Sequence, residues 1–441
     1  MSQSVSLSLA RDPNLNLILK VLPAMVLILV ASALCGRLAV AVRQPRVVGE
    51  MVAGVLLGPT FFGALFPGAQ EAVFAAEVKP VLYVLSTIGL TLFMFLVGVG
   101  LDHDTHGSRE LGRNSAVLAV SGIVPALVLG AGVGFLLHGR LSRGDVSPLE
   151  FAFFVGGALS VTAFPMLARI LYEQGRQNTH LGRLALLGAS IDDAAAWCFL
   201  ALLTALHSGA PTDALVTIGF SIAFVIVMLT AVRRLLRPLG THVARTGSLS
   251  FDHMYVVVGV ALFAGYVTDY IGIYSVFGGF IAGVAMPRDA AFREAVHGRM
   301  MDLVCVFLLP VFFTYSGLNT ELNGLAGWSM AVPFLLILLA GFAGKYFGCG
   351  LAMRALGFSS RESYAIGALM NARGLMILIF INIGLAQELI NREVFSMLVL
   401  VAVITTAAAV PLFRRALPGP VPVSPATEST AEEGEEVRAV P

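Results

Sequence analysis

The stretch GASIDDAAAW, residues 188–197, decides how this chain is read. Its two adjacent carboxylates, Asp192 and Asp193, sit near the middle of an apolar run from about Leu181 to Leu206. About 20 such residues suffice to cross a bilayer. One Asp at that depth costs about 2.5 to 3.5 kcal/mol on insertion scales, and two side by side also repel. A purely structural role explains such a pair poorly; an ion or proton site facing the protein interior or a water-filled cavity is expected instead. A carboxylate withdrawn from water is costly in its charged form, and either a proton or a monovalent cation removes that cost. The two compete for one site, and competition at alternating faces of a membrane amounts to exchange.

The rest of the chain supplies the membrane domain. Of 441 residues, 57% are hydrophobic and 12% charged, with mean hydropathy +0.86, more apolar surface than a soluble core of this size can hide. Apolar stretches between charged and Pro/Gly breaks place thirteen spans near 17–41, 46–65, 81–101, 115–138, 150–171, 181–207, 213–234, 252–270, 272–286, 300–318, 330–353, 362–386 and 393–415. The weakest break lies inside 252–286, where only Asp269 and Gly272 interrupt the pattern. With the N-terminus outside, 20 of the 28 Lys and Arg fall on the cytoplasmic side, five outside, and three (Lys20, Lys345 and Arg373) within spans. That bias gives an N-out, C-in orientation. The fold class is an all-α polytopic membrane protein with about 13 transmembrane helices.

Other functions find little support. A net charge of +1, spread over loops, makes no nucleic-acid surface. No Walker A motif and no GxGxxG after a predicted strand occur, so no nucleotide site and no cofactor are expected. Cys35, Cys198, Cys305 and Cys349 lack metal-ligand spacing and read as small buried hydrophobes. His103 and His106, beside Asp102 and Asp104, read as a solvated loop. An enzyme is not expected either, since adjacent aspartates on one helix point about 100° apart and make a poor catalytic dyad. Residues 1–16 read as a short extracellular N-terminus, and 416–441, rich in Pro and Glu, as a disordered cytoplasmic tail too short for a nucleotide-binding module.

Two internal matches organise the spans. EMVAGVLLGP (50–59) recurs as GGFIAGVAMP (278–287), and LFMFLVGVGLD (92–102) as PVFFTYSGLNT (310–320). Both shift by seven spans, an odd number, so the second copy is inverted across the membrane as in many secondary transporters. The repeat pairs span 5 with span 12, and a binding site is expected where both are interrupted. Span 5 carries SVTAFPMLARIL (160–171) with Pro165 deep inside it; span 12 carries ALMNARGLMIL (368–378), with Asn371, Arg373 and Gly374 in place of aliphatics. Alternatives stay open at each place. Pro165 either kinks or breaks its helix. Thr162 bonds its own backbone or offers an oxygen to a cation. Arg373 neutralises half-helix C-termini or meets substrate, the first being preferred. Lys345 snorkels to the surface or serves as counter-ion to an aspartate. Glu50, opening span 2, reads as an interfacial residue.

Taken together, QPRVVGEMVAGVLLGP (44–59), SVTAFPMLARIL, SIDDAAAW (190–197), the Gly344-Lys345 step and SYAIGALMNARGLMILIFINIGL (363–385) resemble the monovalent cation:proton antiporter-2 family over residues 17–415. The resemblance implies an inverted-repeat antiporter fold with two broken crossing helices. It also implies a homodimer, with dimer-domain helices at about 17–101 and 252–318 and a mobile core at about 115–207 and 330–415. By the same analogy Asp193 binds the cation or proton, Asp192 pairs with Lys345 as counter-ion or proton carrier, and the exchange is electrogenic and of sodium type. Lithium or potassium as the ion, and organic-cation export, stay open, because selectivity rests on cavity geometry and ligand number. The expected setting is the lipid bilayer of the inner (cytoplasmic) membrane.

Overall fold

A computed structural model of the chain describes residues 13–101, 108–142, 146–207, 211–319, 330–374 and 376–417. The first half runs α1 (Pro13–Ala41), α2 (Arg46–Leu57), a short α3 (Pro67–Val73), α4 (Val78–Gly100), α5 (Ser108–Leu141), the interrupted pair α6 (Pro148–Ser160) and α7 (Phe164–Glu173), then α8 (His180–His207). The second runs α9 (Pro211–Val227), α10 (Arg233–Thr246), α11 (Phe251–Ile271), α12 (Ser275–Ala285), α13 (Ala290–Leu303), α14 (Leu309–Leu318) and α15 (Ala331–Ala355). A second interrupted pair, α16 (Ser360–Met370) and α17 (Met376–Ala386), leads to α18 (Arg392–Ala416). Single π-helical turns splice α9 to α10 and α13 to α14. No strand occurs among the described residues, and each of the thirteen expected spans is helical. The 103/106 histidine loop, residues 1–12 and the acidic tail beyond Leu417 lie outside the described residues.

Among the described residues, ten helical stretches are each long and apolar enough to cross a membrane; the remaining expected spans are α8, the short α12 and the α16/α17 pair. The weak break near residue 270 is well built. Gly272, at φ +96°, ends α11 in the left-handed conformation, and the Ile273 amide returns to the Thr268 carbonyl at 2.8 Å. Asp269 then accepts the Ser275 amide at 2.7 Å and so starts α12. Several helices run past the expected span ends: α10 carries the seventh span on to Thr246, and α13 starts the tenth at Ala290. Helical hydrogen bonding continues there although the sequence has turned polar, which a reading by hydropathy cannot follow.

Lipid gives helices no hydrophobic reason to associate, so small residues that let backbones approach define the contacts. A Cβ at Gly54 of α2 would lie 2.3 Å from the Phe313 carbonyl oxygen of α14, and one at Gly283 of α12 2.1 Å from the Phe95 carbonyl oxygen of α4. The seven-span shift carries α2 onto α12 and α4 onto α14, so these are one contact made twice. Both halves also open their interrupted helix with the same capping box. Ser147 and Glu150 start α6, and Ser359 and Glu362 start α16, with hydroxyl-to-carboxylate distances of 2.7 Å in each. The outward faces of α1 and α9, including Val26, Leu38, Leu215 and Phe220, are apolar and exposed, as lipid-facing surfaces must be.

Candidate functional site

Pro165 does not sit deep in a helix. It occupies the first turn of α7, where a missing N–H costs nothing. The interruption is instead the extended run 161–163, with Val161 at ψ 132° and Ala163 at ψ 92°. In the other pair the helix stops at Asn371, and Gly374 takes φ +54°, in the region that favours glycine. A Cβ there would lie 2.9 Å from Met166 Cβ. The two breaks touch, the Ala163 amide donating to the Ala372 carbonyl at 3.0 Å. Four half-helix ends thus converge in the protein interior.

Every charged group of the expected site is buried there. Asp192, Asp193, Lys345 and Arg373 are each at most 1% exposed. Lys345 Nζ lies 2.7 Å from Asp192 Oδ2 and also donates to the Ser160 carbonyl at the end of α6. Snorkelling is thereby excluded. Thr162 Oγ1 sits 2.6 Å from the same Asp192 oxygen and 3.1 Å from the Met370 carbonyl, so it belongs to the carboxylate rather than to its own helix. Asn371 donates to the Gly367 carbonyl at 3.0 Å.

Arg373 makes no ion pair or hydrogen bond with either aspartate among the described residues. Its guanidinium binds the Leu159 carbonyl and, at 2.5 Å, that of Gly341, while its own amide and that of Gly374 donate to Thr406 Oγ1 at 3.0 and 2.9 Å. It therefore neutralises the carbonyl end of α6, the negative pole of that half-helix. With one guanidinium and one ammonium set against two carboxylates, the charges balance only as a group. Asp192 Oδ1, Asp193 Oδ2 and Asn371 Oδ1 nevertheless have no hydrogen-bond donor among the described residues. Buried acceptors of that kind are rare unless something else binds them, and oxygen donors are what a hard cation takes.

A cavity of about 640 Å³ leads toward this point from the end opposite the arginine-rich loops. Tyr83, Asp269, Tyr274 and Tyr315 line one wall and Trp197, Leu378 and Asn382 the other. Trp197, one turn beyond Asp193 and within hydrogen-bonding reach of it, stacks on Tyr274 with ring centres 5.4 Å apart. Both rings line the cavity, and Asp193 is not among its lining residues.

Residues 25–415 match the family described as sodium/hydrogen exchanger, transmembrane. The chain belongs to that family. It is similar to the Na(+)/H(+) antiporter NhaS4 of Synechocystis, 36% identical over 92% of this chain and 99% of that one. It is also similar to Cation/H(+) antiporter 19 of Arabidopsis thaliana, 35% identical over 88% of this chain, and to K(+)/H(+) antiporter 1 of Saccharomyces cerevisiae, 30% identical over 85%. This chain spans less than half of those last two, 48% and 44% of their lengths. The solved sodium proton antiporter MjNhaP1 of Methanocaldococcus jannaschii shares the fold, with a TM-score of 0.64 at 15% identity, covering 91% of this chain and 99% of that one.

Sequence reasoning missed parts of this exchanger. Glu50 is not interfacial: it is 7% exposed and lies 3.6 Å from Arg169, which in turn lies 3.0 Å from Glu173. Thr406, Trp197 and Tyr274 carried no signal beyond their residue type. The paired S-x-x-E capping boxes were legible and would have marked the starts of both interrupted helices.

Proposed function

We propose that this exchanger moves a monovalent cation across the membrane against protons, with sodium as the cation and Asp193 as the group that binds either. The observation that carries the reading is the asymmetry of the two aspartates. Each aspartate keeps one unpartnered buried oxygen, but Asp192 is already held by Lys345 and Thr162 on the other, whereas Asp193 has no ion-pair partner among the described residues and lies one helical turn from Trp197 on the cavity wall. A cation arriving through the cavity meets Asp193 and can take the second unpartnered oxygen from Asp192. It then competes with Lys345 for Asp192, and displacing the ammonium's partner frees a proton from that side as well. Two protons per cation, and so charge movement, follow.

In this scheme a cation and protons move on and off side chains, Lys345 nitrogen included, and no substrate is converted, so the chain works as a carrier rather than an enzyme. Sodium is favoured by the name of the Synechocystis relative; the name of the yeast relative supports potassium as the second reading. The exchanger acts as a homodimer in the inner membrane, its apolar outer faces on α1 and α9 supplying the lipid and protomer contacts. The test is purified protein in sealed liposomes with an imposed pH gradient and an internal pH dye, with Na+, Li+, K+ and an organic amine added in turn. Proton movement on adding Na+, absent in Asp193→Asn, is expected. No response to any of the metal ions, or an undiminished response in the variant, overturns the reading.

A further inference from the structure

The segment RQPRVVGE, residues 43–50, does nothing at the carboxylates, yet it gathers four polar contacts at the arginine-rich end. Each joins helices that pack as one body to helices that pack as another. On the near side, α2 is fixed to its neighbours by glycine contacts. A Cβ at Gly49 would lie 2.2 Å from the Cys35 carbonyl oxygen of α1, and Gly54 meets α14 as described above. On the far side stand α7 and α18, which carry the interrupted helix and the Thr406 anchor.

Glu50 meets Arg169 at 3.6 Å. The Val47 amide donates to Glu173 Oε1 at 3.1 Å, Gln44 Nε2 reaches the Ala407 carbonyl at 3.5 Å, and Arg414 donates to the Arg43 carbonyl and, at 3.3 Å, to Gln174. The Val47 contact is unusual in kind. The residue before α2 is Pro45, whose side chain accepts nothing, so the Arg46 and Val47 amides that open α2 have no side-chain cap on their own chain segment. A carboxylate from the opposite body, Glu173, caps them. At the other end of the same seam the two bodies stand apart around the cavity and touch through the Trp197–Tyr274 stack.

We propose that residues 43–50, with Arg169, Glu173 and Arg414, form a clasp that holds the cytoplasmic end of the exchanger shut while the opposite end is open, and that its release admits the cytoplasm to the aspartates. The proposal rests on the exchange reading above. Its chemistry suits repeated opening. Buried carboxylates and a guanidinium are costly to leave unpaired but regain water when the seam parts, so closed and open states differ by the balance of contact against hydration. An apolar seam would have no such second partner.

Cys305 offers a reporter that does not depend on transport, since it is buried beside Arg169 beneath the clasp. Inside-out vesicles would be treated with a membrane-impermeant maleimide, and labelling of Cys305 followed by peptide mass spectrometry. Slow labelling is expected in the unaltered protein, and about tenfold faster labelling in Glu173→Ala, the factor set by losing one helix cap and its charge. Arg414→Gln, at the partly buried edge of the seam, provides the second variant should Glu173→Ala assemble poorly, and it too should label faster. Unchanged rates in Arg414→Gln and in any assembled Glu173→Ala overturn the clasp. Proton flux in the same vesicles separates the two ideas. Unchanged labelling with intact cation-driven flux removes the clasp alone, whereas faster labelling with no cation response in any form of the protein keeps the closure and removes the exchange reading.

Discussion

The Ala163 amide donates to the Ala372 carbonyl at 3.0 Å, tying two interrupted helices from opposite halves of the chain together at their breaks. Unpaired backbone groups are not tolerated in hydrocarbon, and each break here supplies what the other lacks. Everything placed near the membrane centre depends on that junction.

Gly374 should not accept a side chain. Its φ of +54° is strained for other residues, by about 1 to 3 kcal/mol, and a Cβ would press on Met166. Gly374→Ala should lower the thermal midpoint in detergent and reduce cation-driven proton flux together. A variant with unchanged stability would mean that the junction relaxes easily.

Lys345→Gln should leave exchange measurable but remove charge movement. It takes away the ammonium 2.7 Å from Asp192, and breaking a buried pair on one side costs about 3 to 5 kcal/mol, so a lower melting temperature should accompany the change. Current recorded from proteoliposomes on a solid support decides this, and a persistent sodium-evoked current would rule out the two-proton scheme.

Thr162→Val keeps shape and removes the hydroxyl 2.6 Å from Asp192. A hydrogen bond to a charged group contributes about 1.5 to 3 kcal/mol, and losing it should raise the cation concentration for half-maximal exchange about ten- to a hundredfold, whereas Thr162→Ser should behave as the original. Equal titration curves for Val and Ser would show that the hydroxyl does not serve the site.

The twin capping boxes should be equivalent. Ser147→Ala and Ser359→Ala each remove one N-cap acceptor and should each cost about 1 kcal/mol of stability. Comparable thermal shifts for the two are expected. A large shift for only one would indicate that the halves share sequence but not mechanical role.

Much of this was legible without coordinates because a bilayer imposes simple demands. Length and hydropathy marked thirteen spans, arginine bias set their expected orientation, and two matched motifs gave the inverted repeat, since each signal is local or periodic along the chain. Asp192, Asp193, Lys345 and Arg373 stood out because charge in an apolar span is costly wherever it occurs. Pro165 misled, because a proline in the first turn of a helix and one in its middle look alike until residues 161–163 are seen to be extended.

The chain's residues by themselves determined that it lies in a membrane and which four charges need an explanation, and set an expectation for which way it faces. Only the tertiary structure decided how those charges are shared: Lys345 and Thr162 on one oxygen of Asp192, Arg373 on the carbonyl end of α6, and Asp193 left with an oxygen to spare. It alone also moved Glu50 from the interface to a buried seam 119 residues away in sequence from its partner Arg169. The reason is physical. The cost of a buried charge is a property of the residue and its span, but its partner is chosen by which distant backbone ends and side chains the packing brings within about 3 to 4 Å, and no local pattern encodes that.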